Sequence, residues 1–182
     1  ALNYSEKSLD SENYRAKSLS LQGSVHFLKG DMKSAYETLS LSKQIDGSDS
    51  NVLIKLALVE LERNNFIQMH EHLEMAHEAD PKNPALFYHR GEIFALSGNL
   101  QEAINDFETA ITLNPSFVLA YVHKARALLG LVKYSDAEDL LREAMLKFES
   151  KVEICNSLGE VMVMKKDFDS ADKIFNSILL KS

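Results

Sequence analysis

The chain has no tryptophan, one cysteine, three prolines and seven glycines among 182 residues. The lone cysteine, Cys155, excludes an internal disulfide, and its place in a helical pattern makes it a buried thiol in expectation. Proline and glycine this sparse, and set mostly where turns are expected, argue for helices and against a sheet. No run of 18 or more apolar residues occurs, so nothing reads as a membrane span, and no secretory leader is visible. The chain opens on Ala1 rather than methionine, which suggests a piece excised from a longer protein. It has no basic stripe. With a net charge of −7, nucleic acid is not an expected partner, whereas a basic partner would be steered in.

Reactive chemistry is missing too. There is no Gly-rich phosphate loop and no serine or cysteine triad, and the acidic residues fall at salt-bridge spacing along helix faces. His70 and His72 stand two apart, which on a helix turns them to different faces, so solvated surface is expected rather than a shared metal. Asn3-Tyr4-Ser5 matches a glycosylation sequon and is read as coincidence. No catalytic residue, no metal and no cofactor are expected.

What is present is a repeat. From Pro84 to Pro115 two amphipathic segments flank the turn Ser97-Gly98-Asn99, with Gly91, Phe94, Ala103, Phe107 and Ala110 at fixed places and a closing Asn114-Pro115. A step of about 34 residues carries the pattern along the chain. From Gly91 it meets Gly23, Ala57, Ala125 and Gly159; from Ala103 it meets Ala35, Met69, Ala137 and Ala171. From Phe107 it meets Leu39, Leu73, Leu141 and Phe175; from Pro115 it meets Pro81 and, less faithfully, Gly47 and Glu149. Small residues let two antiparallel helices cross closely, while leucine and phenylalanine fill the space between one pair and the next. This is the pattern of the tetratricopeptide repeat (TPR). It predicts an all-α, TPR-type superhelical solenoid of five helix-turn-helix units starting near 16, 50, 84, 118 and 152.

The solenoid is expected over 16–182, after a connector or helix remnant at 1–15 in which Tyr4, Leu9 and Tyr14 are isolated apolar points. Helices are expected near 17–29 and 32–45, then across 51–79 with a turn at Asn64-Asn65. The later units are expected to turn near Lys133 and Lys166-Asp167. Asn83 should cap a helix that begins at Pro84. The polar joint Asp46 to Ser50 reads as a mild hinge. The last helix carries Phe168, Ala171, Ile174, Phe175, Ile178 and Leu179, wider than one buried stripe. Further repeats or a second chain would cover such an end, a homodimer being one form, or the broad stripe packs back on the fourth unit.

The first helix of each unit should line the inside of the solenoid. That places Lys55, Leu58, Tyr88, His89, Glu92, Leu119, Val122, His123, Arg126, Leu129, Asn156 and Glu160 in a peptide-binding groove. Its mixed lining suits an amphipathic peptide, some of the apolar groups packing against neighbouring helices instead. A carboxylate clamp for a chaperone tail needs a set of lysine, arginine and asparagine. The second to fourth units offer Ile54, Leu58, His89, Leu119 and His123 instead, and no other window does better, so no such clamp is expected.

Several runs in order resemble one family. They are Phe27-Leu28-Lys29-Gly30-Asp31 with Ala35, the stretch from Ala57 to Asn65, Asp80-Pro81-Lys82-Asn83, and Tyr88-His89-Arg90-Gly91-Glu92. Asp106-Phe107, Leu113-Asn114-Pro115, Lys147-Phe148 and the run from Lys166 to Ala171 continue the series. Together they resemble the C-terminal TPR region of the family of seventy-kilodalton import receptors of the mitochondrial outer-membrane translocase. The resemblance implies a parent protein anchored in the outer membrane by an N-terminal helix and facing the cytosol. Chaperones would dock on its N-terminal repeats, and preproteins would bind a pocket in its C-terminal ones. Preproteins and other translocase subunits are then the implied partners. The anchor, the clamp repeats and the family's last repeats are expected outside this chain, which would itself be soluble. Within the groove, Glu92 and Glu160 would meet a segment's cations and Tyr88, Leu119, Val122 and Leu129 its apolar side. Arg126, His89 and Asn156 would bind backbone or carboxylates. The alternatives are a general TPR scaffold in a multiprotein complex, the regulatory arm of an enzyme, and a chaperone adaptor.

Overall fold

In the computed structural model, residues 2–148 and 152–179 are described, with side chains from residue 11 onward except that of Ile178. Expectations for the side chains of Asn3, Tyr4, Ser5, Leu9, Glu149 and Ile178 lie outside the described residues. Among the described residues there are ten helices and no strand. They are α1 (Leu2–Leu28), α2 (Met32–Ile45), α3 (Ser50–Glu62), α4 (Phe66–Ala79) and α5 (Pro84–Leu96). Then come α6 (Leu100–Leu113), α7 (Val118–Gly130), α8 (Tyr134–Lys147), α9 (Val152–Met164) and α10 (Phe168–Leu179).

Of the two readings for the start of the chain, connector or helix remnant, the stretch is helical: α1 runs unbroken from Leu2, and residues 2–15 form its first half. No proline or glycine precedes Gly23, and nothing else there stops a helix once it is nucleated. The other nine helices lie where the repeat puts them.

The turn inside each pair is built the same way five times. Gly30, Asn64, Gly98, Val132 and Lys166 all have positive φ, between 60° and 79°. They stand one repeat apart. Each donates its N–H three residues back, as Gly98 does to the Ala95 carbonyl at 3.1 Å, and the next N–H reaches five back, as Asn99 does to Phe94 at 2.9 Å. Two of the helix's last carbonyls are thereby satisfied at every turn, in the manner of a Schellman cap. Asp31 and Asp167 then open the following helices by accepting from the Ser34 and Ser170 N–H, each at 3.1 Å. Asn83 caps α5 as expected, accepting from Ala85 N at 3.0 Å.

The helices pack as two compact units that part between Leu86 and Phe87. In unit 1 the core gathers Ala35, Leu39, Val52, Leu56 and Val59, with Phe27, Met32 and Tyr36 against it. Buried hydroxyls pin helix to helix here: Ser42 Oγ donates to the Ala16 carbonyl at 2.8 Å and Ser50 Oγ to that of Ala76 at 3.0 Å. The joint expected as a hinge is itself bonded. Asp46 accepts from Ser48 Oγ at 2.8 Å, and Asp49 accepts from Asn51 N at 2.9 Å.

In unit 2 the core runs from Phe87 and Tyr88 through Phe107, Tyr121 and Leu141 to Ile154, Leu158 and Ala171. Cys155 is buried on α9, as a packing thiol should be. The small positions do what the repeat requires. A Cβ on Gly91 would lie 2.8 Å from the Phe107 ring, and one on Gly159 2.4 Å from that of Phe175. Within unit 1, a Cβ on Gly23 would lie 2.6 Å from Leu39.

Candidate functional site

The expected groove residues divide between the units: Lys55 and Leu58 lie in unit 1, the other ten in unit 2. In unit 2 the first helices α5, α7 and α9 carry them. α5 and α7 bring Tyr88, His89, Glu92 and His123 into one hydrogen-bonded cluster. Glu92 is its acceptor. Tyr88 OH donates to Oε1 at 3.0 Å, His89 Nδ1 lies 2.8 Å from Oε2, and His123 Nδ1 lies 3.5 Å from Oε1. The Tyr88 hydroxyl is also 3.4 Å from His123 Nε2. Its ring packs 4.7 Å from Phe117 and 5.3 Å from the His123 ring.

The electrostatics follow from this burial. Buried, the Tyr88 phenol is pushed far above its ordinary value, first by desolvation and then by the Glu92 charge beside it. Burial lowers His123, with Glu92 opposing and Arg126 and His89 adding to the shift. Burial also works against the Glu92 charge. The hydrogen bonds from His89 and Tyr88 outweigh it and hold the carboxyl below the usual range.

Three expectations change here. Tyr88 and Val122, expected as an open apolar floor, are only 6% and 5% exposed and belong to the core. Val122 lies one turn from Ala125 on the broad face that α7 buries. Glu92, expected to meet a ligand's cation, already has its carboxylate taken by Tyr88 and His89. Leu119, Arg126, Asn156 and Glu160 are exposed as expected, and His89, His123 and Leu129 are half-buried. His72 also departs from its reading as solvated surface: it is half-buried, and among the described residues its Nδ1 has no hydrogen-bond partner. His70 is exposed near Glu74.

α7, α9 and α10 form an open cavity of about 440 Å³ lined by Leu129, Gly130, Glu160, Val163, Met164 and Phe175. All but Glu160 are apolar or glycine. Of these, Leu129 and Glu160 are among the expected groove residues. Phe175 comes from the second helix of its pair, and the repeat marks it only as filler. Its signal is Gly159, whose missing side chain leaves the space the ring occupies against α9. In unit 1, Lys55 and Leu58 line a smaller cavity of about 180 Å³ with Ser24, Phe27, Leu28 and Leu39.

No helix among the described residues is long and apolar enough to cross a membrane. The tetratricopeptide-repeat family matches residues 84–117. The mitochondrial import receptor subunit TOM70 of Saccharomyces cerevisiae is 30% identical over 178 residues, covering 94% of this chain and 29% of its own length. The chain thus spans under a third of the receptor it matches. Among solved structures, yeast Tom70 superposes with a TM-score of 0.79 at 19% identity, covering 97% of this chain and 38% of that one. The structure of pilF from Pseudomonas aeruginosa superposes with a TM-score of 0.81 at 14% identity, covering 94% and 78%. At such identities the superpositions speak for the fold alone, whereas the sequence match reaches further. The chain has the tetratricopeptide-repeat fold and is similar, along nearly its whole length, to one stretch of the mitochondrial import receptor TOM70.

Proposed function

We propose that the chain is the segment-binding part of a mitochondrial import receptor, on the cytosolic face of the outer membrane, which recognises targeting segments of preproteins by binding rather than catalysis. The observation that carries this reading is the apolar cavity of unit 2 with a single carboxylate, Glu160, in its wall. A basic amphipathic segment would seat one apolar side chain in the cavity and bring a cation to Glu160. Burying such a side chain contributes about 1.5–3 kcal/mol. An exposed ion pair at Glu160 adds about 1 kcal/mol at most, so the charge steers and orients while the cavity holds. Arg126 on α7 and Asn156 on α9, both exposed, would take the segment's carbonyls or carboxylates. Exposed Phe168 and Leu179 on α10 support contact with another protein chain, a translocase subunit or a second copy.

Fluorescence anisotropy of the purified chain with a basic amphipathic peptide tests this. Met164→Lys is expected to weaken binding about tenfold, close to 1.4 kcal/mol, by placing in the cavity a charge that repels the segment's cations. Glu160→Lys should weaken it at low salt and much less at high salt. Unchanged affinity in both variants would remove this cavity from the account.

A further inference from the structure

The unit 1 cavity differs in the sign of its charge. Lys55 rises from α3 beside Ser24, Phe27, Leu28, Leu39 and Leu58. It is half-buried, and its Nζ donates to a neutral hydroxyl, Ser20 Oγ, at 3.1 Å. Among the described residues no carboxylate pairs with it. The acidic group with most influence on it is Asp49, whose carboxylate caps α3 by accepting from Asn51 and Val52 N–H. An ammonium has three donors, and Ser20 uses one. Burial accordingly depresses the Lys55 pKa, the sign of a cation short of compensating charge.

Volume limits what fits. At about 180 Å³ the cavity falls below the roughly 300–1,000 Å³ of small-molecule pockets. A cavity of about 150 Å³ is enough to admit benzene, so one leucine or phenylalanine side chain is the natural occupant. The apolar surface continues outward. Leu21, Val25 and Leu28 follow helical i, i+4, i+7 spacing on α1 and are 68%, 49% and 83% exposed. A partner with one apolar stripe can cover that ridge only as a helix of matching period.

We propose that this face of unit 1 binds an acidic amphipathic helix, one aliphatic or aromatic side chain entering the cavity and a neighbouring carboxylate accepting from Lys55 Nζ. The charge selects the partner. A basic segment would bring a second cation to a half-buried lysine that has no carboxylate of its own. An acidic one forms a charge-assisted hydrogen bond where solvent screens it least. The site does not rest on the import reading of unit 2.

The test uses the intact chain and an acetylated, amidated peptide with leucines at helical i, i+4, i+7 spacing and glutamates between them. Two counterparts carry glutamine or lysine in place of glutamate. The glutamate peptide is expected to bind, and the glutamine peptide to bind about tenfold more weakly. Lys55→Glu should abolish binding of the glutamate peptide and confer binding of the lysine peptide. That exchange of preference cannot come from misfolding, and thermal unfolding followed by circular dichroism checks that the variant folds. Equal binding of the glutamate and glutamine peptides, indifference to Lys55→Glu, or preference of the unaltered chain for the lysine peptide would each overturn the proposal. So would sedimentation showing self-association that Lys55→Glu removes, which would assign the face to a second copy.

Discussion

Arg90 on α5 grips Asp106 on α6 with two parallel hydrogen bonds, Nε to Oδ2 at 2.7 Å and Nη2 to Oδ1 at 2.8 Å. Asp106 is 7% exposed, and the guanidinium also lies 5.2 Å from the Phe87 ring centroid. Part of the Tyr88 to Glu92 run, which carries the family resemblance, is therefore a fastening between two helices. Arg90→Ala is expected to cost about 3 kcal/mol in urea unfolding, the lower end for breaking a buried pair because the arginine is partly exposed. Arg90→Lys should recover only part of this, since an ammonium cannot match the fork. Asp106→Asn combined with Arg90→Ala should cost less than the sum of the two changes.

Gly91 faces the buried Phe107 ring, and an added Cβ would come within 2.8 Å of it. The ring is fully buried and has nowhere to move. Gly91→Ala should therefore destabilise by about 1–3 kcal/mol through overpacking, even though alanine favours the helix. A rise in the denaturant midpoint would show that the pair can separate freely.

Val132 holds a φ of 63° where the same turn elsewhere uses Gly30 or Gly98. A β-branched side chain in the left-handed region costs about 1–2 kcal/mol, and glycine's extra chain entropy returns about half of that. Val132→Gly is expected to stabilise by about 1 kcal/mol and to raise the melting temperature by about 2–4 °C. Val132 is exposed, so no core contact is lost.

Acidification should weaken unit 2. His123 has a folded-state pKa below its ordinary 6.5, chiefly through burial. As pH falls through the unfolded value, the unfolded chain takes up the proton first, so stability is full above that value and declines below it. Glu92 has the same sign lower down: its contribution is present above the ordinary 4.5 and is lost as pH falls through its depressed value. The denaturant midpoint should drop continuously from neutral pH into the acid range. His123→Gln should flatten the upper part of that curve and leave the carboxylate part in place. A profile unchanged by His123→Gln would show that the ring takes up its proton at no cost to folding.

The twelve residues expected in the groove were found by register, and register tells which helix face a residue occupies. It does not tell whether a neighbouring helix covers that face. Leu119, Arg126, Asn156 and Glu160 are exposed as their positions imply, whereas Tyr88 and Val122 stand in equivalent places and are buried. Two of the six residues that line the unit 2 cavity, Leu129 and Glu160, are among those twelve. Phe175 completes the cavity from the opposite helix.

The sequence alone determined the nine described helices from α2 onward, because a fixed period of small and large residues admits one way for helices to cross. It determined the turns as well, through glycine and asparagine, and Val132 obeys the register against its own preference. Tertiary structure decided what local pattern cannot carry. It set the reach of α1 back to Leu2, the parting of the units at Leu86, the engagement of Glu92 by Tyr88 and His89, and the opposite charges at the two cavities. Each of these depends on which side chains from different helices share a space, and a periodicity measured along one chain holds no distances between helices.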